Sequence, residues 1–178
     1  MKKILILSFM LLFSVPLYAY DIVPKLTLDL PGTFRSDYEV ETGIGIGAEA
    51  RYPINDYFSL GVGLEYLLQR TISDKLNEHY SNKNFNFAPA YVSILFYPFG
   101  NFANYKPYLK IDGGYNLAFM IDDAKDSSSG LYVAGAIGFE LFEKYIMEIT
   151  TARYEAKDNG ENVTYKKISF KAGYKFTI

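Results

Sequence analysis

Residues 166–178, KKISFKAGYKFTI, alternate in character and decide the class of fold. From Ile168 onward the even positions are apolar, aromatic or Ala, and the odd positions are Lys, Ser, Gly or Thr. A β-strand points successive side chains to opposite faces, whereas a helix of about 3.6 residues per turn would scatter the lysines around its surface. About 9–11 residues of tilted strand cross a bilayer. The run therefore predicts an amphipathic transmembrane strand.

The same alternation recurs along the chain and predicts eight strands. The first seven span residues 22–30, 42–52, 57–68, 85–97, 107–120, 131–142 and 145–156, and the last follows residue 161. Both faces of strand 85–97 are apolar, so its register stays open. Short and long connections alternate, as they do in barrels with short periplasmic turns and longer extracellular loops. We predict an all-β fold, an eight-stranded antiparallel up-and-down transmembrane barrel.

The N-terminus has the pattern of an export signal. Lys2 and Lys3 precede an apolar run at residues 4–15, and Ala19 ends a plausible cleavage site. We expect a signal peptide at residues 1–19 and the barrel domain at residues 20–178. Removal of the signal would leave 16 basic and 20 acidic residues, a net charge of −4 that does not favour nucleic acid as a partner. The chain has no cysteine, so backbone pairing and packing must supply its stability.

One face of the predicted strands combines glycine with charge, for example at Gly61, Gly63 and Glu65. A narrow eight-stranded barrel needs such small residues inside. If this face points inward, ten charged side chains share the lumen: Glu49, Arg51, Glu65, Lys110, Asp112, Glu140, Glu148, Lys167, Lys171 and Lys175. They are interpreted either as an ion-pair network that plugs the barrel or as a narrow ion path. The rival fold is a soluble lipocalin-like barrel, in which the two faces are reversed.

Aromatic residues cluster near the predicted strand ends. Phe58 and Phe96 lie beside short turns, whereas Tyr132, Tyr154 and Tyr165 lie toward the long loops. We expect both groups to form outward girdles at the two lipid–water interfaces.

Two features resemble known outer-membrane proteins. Lys171, Gly173, Phe176 and Ile178 fall on the four defined positions of the C-terminal assembly signal of bacterial outer-membrane barrels. The stretches RYPINDYFSLGVGLEY (51–66) and KPYLKIDGGYNLAF (106–119) resemble the first periplasmic hairpin and the fifth strand of small OmpA/OmpX-like barrels of the porin-family superfamily.

This resemblance implies a location in the bacterial outer membrane and insertion by the barrel-assembly machinery. The implied partners are outer-membrane lipid, lipopolysaccharide and a possible host surface ligand. The expected role is structural or one of surface contact, adhesion included, through extracellular loops at residues 31–41, 69–84, 122–130 and 157–162. A narrow porin-like channel is the alternative.

A second alternative comes from the histidine of the chain. His79, Tyr80, Ser81 and Asn82 resemble the His-any-Ser-Asn core of the outer-membrane lipid A 3-O-deacylases, in which His is the base and Ser the nucleophile. The match departs from that family at Lys83, where the family has Ala, and the next Glu after Glu78 is Glu140. A solvated loop histidine is the simpler interpretation. We therefore expect a protein that is not an enzyme and uses no cofactor or metal.

Overall fold

A computed structural model describes residues 20–35, 38–73, 84–100, 104–121, 127–158 and 161–178. These residues form eleven antiparallel β-strands in one sheet. The strands are β1 (Asp21–Asp29), β2 (Gly32–Phe34), β3 (Tyr38–Val40), β4 (Gly43–Pro53), β5 (Phe58–Ser73), β6 (Asn84–Phe96), β7 (Tyr105–Ile121), β8 (Ser127–Leu141), β9 (Tyr145–Asp158), β10 (Glu161–Tyr174) and β11 (Phe176–Thr177).

Eight of the strands close into a ring. Hydrogen-bonded pairing runs from β1 to β4, then through β5, β6, β7, β8, β9 and β10. The ring closes because β10 pairs with β1, with Leu28 opposite Phe170 and Lys25 opposite Gly173. The predicted eight-stranded barrel is confirmed, and closure removes the unpaired edges that an open sheet would expose.

Three short strands complete the wall. The hairpin β2–β3 pairs with β10 on one side and with β5 on the other, beyond the ends of β1 and β4. Residues 31–41 were expected to be a loop, but β2 and β3 within this range extend the wall, because their backbone groups find partners on both neighbouring strands. After a break at Lys175, β11 pairs with the start of β1.

The apolar face of the wall points outward. Ile44, Val62 and Phe170 are 57%, 56% and 45% exposed, whereas Glu65 and Lys171 are each 4% exposed. An apolar exterior and a charged interior are the arrangement of a membrane barrel. The soluble lipocalin-like alternative is therefore wrong. Among the described residues, no helix is long and apolar enough to cross a membrane.

The register of β6 is resolved. Phe87, Tyr91 and Leu95 point inward and are buried, whereas Val92 and Ile94 point outward. Both faces are apolar because this strand contacts lipid on one side and an aromatic interior on the other.

The long strands extend past the span that a bilayer requires. β5, β7 and β8 have 16, 17 and 15 residues, compared with the ~9–11 needed to cross. The rim at which Tyr20 and Ile178 lie is taken as periplasmic, since the short turns lie there. Strand structure at the opposite rim reaches into the segments expected as loops at 69–84, 122–130 and 157–162.

The prediction of an outward aromatic girdle at the extracellular rim is partly wrong. Tyr132, Tyr154 and Tyr165 are fully buried inside the barrel. Each tyrosine occupies an inward-facing position of its strand, so it points away from the lipid although it lies near a strand end. Tyr66 and Tyr115 do point outward near this rim, and Phe58 and Phe96 do so at the periplasmic rim.

Candidate functional site: the filled barrel interior

The interior of the barrel is filled by two ion-pair networks and an aromatic cluster. Among the described residues, six basic and six acidic side chains are buried, so their formal charges balance. The basic side chains are Lys25, Arg51, Arg70, Lys110, Lys167 and Lys171, and the acidic ones are Asp29, Glu49, Glu65, Asp112, Glu140 and Glu148. Balance matters because an unpaired charge in a low-dielectric interior carries a large desolvation penalty.

The periplasmic-side network is centred on Glu49 and Glu148. Glu49 accepts hydrogen bonds from Lys25 Nζ at 2.9 Å, Arg51 Nε at 2.6 Å and Lys110 Nζ at 2.7 Å. Glu148 accepts from Lys25 Nζ and from Arg51 Nη2, both at 2.8 Å. Glu49 thus shares its charge among cations from three strands, β1, β4 and β7, and Glu148 on β9 shares its charge with cations from β1 and β4.

The periplasmic-side network reaches the rim through Glu140. Arg51 Nη1 lies 3.2 Å from Glu140, and Lys175 Nζ lies 2.9 Å from the other oxygen of the same carboxylate. Lys110 also lies 3.3 Å from Asp112. Lys175 is partly exposed and marks the periplasmic boundary of the network.

Buried tyrosines donate to these carboxylates. Tyr108 donates to Glu148 at 2.8 Å, Tyr97 to Glu140 at 2.9 Å and Tyr91 to Glu49 at 3.2 Å. Their rings also occupy the space that glycines leave open. A Cβ added to Gly138 would lie 2.5 Å from Cζ of Tyr108, and one added to Gly63 would overlap the ring of Tyr91. The inward glycines therefore make room for large side chains from the neighbouring strand.

The extracellular-side network is centred on Asp29 and Glu65. Asp29 accepts hydrogen bonds from Lys167 Nζ at 2.6 Å, Ser169 Oγ at 2.7 Å and Arg70 Nε at 2.7 Å. Glu65 accepts from Lys171 Nζ at 2.6 Å and from Thr27 Oγ1 at 3.0 Å.

An aromatic cluster lies between the extracellular-side network and the loop rim. Phe85 packs against Phe34 and Tyr165 with ring centroids 5.2 and 5.1 Å apart, and Phe87 stacks on Tyr165 at 6.0 Å. The ring centroid of Tyr154 lies 5.2 Å from that of Phe87 and 5.7 Å from that of Tyr165. Aliphatic side chains surround these rings: Val40, Leu67, Ile72 and Val163. The rim that faces the exterior of the cell is therefore filled by apolar side chains.

The ten charged residues selected from the sequence all lie in the interior or at its periplasmic rim. Nine of them are buried, and Lys175 is the partly exposed one. Three further buried charges, Lys25, Asp29 and Arg70, were not among the predicted interior residues. Lys25 and Asp29 alternate with the apolar residues of β1 and were detectable from that pattern. Arg70 was not, because a register shift between Leu67 and Arg70 changes the parity of β5.

Other predicted features lie beyond the described part of the chain. The expected signal peptide at residues 1–19 and the motif from His79 to Asn82 fall outside the described residues and stay predictions. Among the described residues, no group of three or more His, Cys, Asp or Glu could hold a metal ion. The proposed assembly-signal residues Phe176 and Ile178 are exposed and lie beside the start of β1.

The ion pair between Lys106 and Glu143 lies outside the membrane span. Lys106 Nζ donates to Glu143 Oε1 at 2.9 Å in the β8–β9 turn. This hydrogen bond holds the pKa of the Glu143 carboxyl below its usual value. The pair is exposed, so its contribution to stability is small.

The family profile of the outer membrane protein β-barrel domain matches residues 5–176. The chain belongs to this outer-membrane β-barrel family. The match covers nearly the whole sequence and places the protein in the bacterial outer membrane. No curated protein sequence matches the chain significantly.

Solved structures of other outer-membrane barrels share the fold of this family member. Neisserial surface protein A superposes with a TM-score of 0.60 and 15% identity, covering 89% of this chain and 99% of its own. Ail, the attachment invasion locus protein of Yersinia pestis, gives a TM-score of 0.56 and 11% identity over 89% of this chain and 98% of its own. OprG of Pseudomonas aeruginosa gives a TM-score of 0.54 and 16% identity over 89% of this chain and 95% of its own.

Proposed function

We propose that this outer-membrane barrel is a closed scaffold that acts by surface contact through its extracellular rim. The observation that carries the proposal is the burial of the interior charges. A water-filled pore would expose the side chains that line it, yet Glu49, Glu148, Lys25 and Lys110 each have at most 3% of the side chain exposed. The aromatic cluster adds an apolar barrier above them, so solute passage is disfavoured.

The extracellular rim is the part of the molecule available for contact. Strands β5, β7, β8, β9 and β10 all extend toward this rim, and the β2–β3 hairpin completes the wall there. Loops mounted on a rigid scaffold are the usual place for binding residues. The role proposed for them is adhesion or host contact. Ail of Yersinia pestis, which shares this fold, has been crystallised with the heparin analogue sucrose octasulfate, so a sulfated glycan is a sensible first probe.

Adhesion of whole cells tests the proposal. The full chain is displayed by a non-adherent bacterium, and attachment to cultured epithelial cells and to immobilised heparin is counted. We expect attachment at least threefold above the empty-vector strain, and a return to that background when residues 74–83 are replaced by a Gly-Ser linker of equal length. Lys144→Ala, a change at the periplasmic turn, should leave attachment unchanged. Attachment equal to the empty-vector strain would contradict the surface-contact role.

Conductance measurements in planar bilayers distinguish the surface-contact role from a narrow channel. The purified barrel should give no stable conductance steps, because ion movement would require breaking the interior ion pairs. Steady steps whose size scales with salt concentration would favour the porin-like alternative instead.

The deacylase alternative has a direct assay. Lipid A is incubated with the folded protein, and released 3-hydroxy fatty acid is sought by mass spectrometry. We expect no release; release that Ser81→Ala abolishes would contradict the non-enzymatic role.

A further inference from the structure

Two basic side chains lie directly opposite each other on the outer wall. Arg153 of β9 pairs in register with Lys166 of β10, and both are exposed. Like charges in directly opposed cross-strand positions repel each other and destabilise a sheet. Lys157, two residues beyond Glu155 on the same outward face, is also exposed. The arrangement is unfavourable unless an anion lies between these cations.

Among the described residues, one ion pair involves this cluster, and its single carboxylate does not balance the three cations. Arg153 Nη2 lies 2.7 Å from Glu155 Oε1, and both side chains are well exposed. Of the three outward cations, Arg153, Lys157 and Lys166, Arg153 is the one with an ion pair among the described residues. A net positive patch of this kind complements a phosphate, which Arg binds through two parallel N–H donors and Lys as a point charge.

The basic pair lies where the outer wall changes from apolar to polar. On one side Val133 is paired with Arg153, and on the other side Thr33 is paired with Lys166. The next outward position of β8 is Leu131, which pairs with the girdle residue Tyr115 of β7. Toward the periplasm, β10 continues with the exposed apolar residues Ile168 and Phe170. The cations thus lie at the extracellular lipid–water interface, at the depth of lipid headgroups.

A depression in the wall begins beside the basic pair. It has a volume of about 390 Å³, and its lining includes Leu131, Val133, Gly135, Arg153 and Lys166. Gly135 forms an open part of this surface, since a Cβ built there would meet no atom within 4 Å. The depression therefore combines an apolar surface with a basic margin, which matches a lipid that carries a phosphate above an acyl chain.

We propose that Arg153 and Lys166 form a lipopolysaccharide-binding site on the outer wall, in which a lipid A phosphate lies between the two cations. One acyl chain lies in the depression over Gly135, against Val133 and Leu131. The extracellular position of the site selects lipopolysaccharide as the source of the phosphate rather than a phospholipid of the periplasmic leaflet. The inference is independent of the proposed surface-contact role, because it concerns the lipid-facing wall and not the loops.

Binding of defined lipids to the full-length folded protein tests this site. Native mass spectrometry in a neutral detergent compares diphosphorylated lipid A, its dephosphorylated form and phosphatidylglycerol. We expect lipid A to bind at least tenfold more tightly than the dephosphorylated form. The double variant R153A/K166A should lose at least tenfold of this affinity, whereas K106A/K144A, which removes two basic residues at the periplasmic rim, should match the wild type.

A second pair of variants tests the acyl-chain contact. Gly135→Leu should fill the depression and weaken lipid A binding at least threefold. Gly113→Leu is the matched control, because Gly113 also faces open space on the outer wall but does not line the depression. Heat-modifiable migration on gels confirms that each variant is folded. Equal lipid A affinity of R153A/K166A and the wild type would overturn the site, and equally tight, variant-sensitive binding of phosphatidylglycerol would overturn its assignment to lipopolysaccharide.

Discussion

At the scale of single residues, Glu49 connects three cations of the periplasmic-side network. Its carboxylate accepts hydrogen bonds from Lys25, Arg51 and Lys110. Removal of one member of a buried ion pair is costly because the remaining partners keep their charge without a counter-ion.

We therefore expect Glu49→Ala to lower the free energy of unfolding by about 3–5 kcal/mol, the range for a broken buried ion pair. The measurement is urea unfolding of the barrel in lipid vesicles, followed by its heat-modifiable migration. Glu143→Ala is the control, because it also removes a glutamate from an ion pair, but from the exposed pair with Lys106. An equal effect of the two substitutions would show that the interior network is not stabilising as a connected unit.

Gly63 is an inward position at which the packing leaves no room for a side chain. An added Cβ would overlap the ring of Tyr91, whose hydroxyl donates to Glu49. We expect Gly63→Val to prevent refolding, and Gly63→Val combined with Tyr91→Ala to restore it in part. Gly113→Val, on the outer wall with no atom near the new Cβ, should refold normally. Refolding yield in detergent micelles measures all three, and normal refolding of the Gly63→Val single variant would contradict the packing argument.

At the scale of elements, the alternation predicted the wall strands but not every inward residue. Strands such as β1 and β10 keep a strict period of two, so their inward faces follow once one inward residue is assigned correctly. Parity was lost at the register shift between Leu67 and Arg70, and the inward arginine was therefore not predicted. Tyr132, Tyr154 and Tyr165 were placed by their proximity to loops, although their parity would have placed them inside. The partners across the lumen depend on barrel curvature, which no local pattern encodes.

The C-terminal strand β11 is the element that the assembly machinery is expected to recognise. Phe176 is exposed, packs against Tyr174 with ring centroids 4.7 Å apart, and lies opposite Ile22 of β1. We expect Phe176→Ala with Ile178→Ala to lower the amount in the outer membrane several-fold in cells, while the purified variant still refolds in detergent. The control is the double variant Phe58→Ala with Ile54→Ala, which changes two other exposed apolar residues of the same rim. It should leave the amount of protein in the outer membrane unchanged. Equal losses from both double variants would mean that the C-terminus is no special signal.

At the scale of the whole molecule, the outward apolar belt holds the barrel in the bilayer. Val62 lies midway between the outward aromatic residues Phe58 and Tyr66 of β5, and Leu131 lies near the extracellular interface. We expect Val62→Arg to destabilise the inserted barrel by about 2–4 kcal/mol and Leu131→Arg by about 0–1 kcal/mol, as the depth dependence of charge on a lipid-facing wall requires. Unfolding in vesicles measures the difference, and equal costs would contradict the proposed depth of the belt.

The β2–β3 hairpin has a consequence for assembly of neighbouring molecules. β1 ends at Asp29 and β4 begins at Gly43, so above them β5 and β10 would face each other across a slit with unpaired backbone groups. The hairpin bonds to both strands and fills that slit. Exposed strand edges accept strands from other chains. Shortening the segment 30–42 would therefore expose these strand edges, and the barrel would associate side by side with other copies of itself.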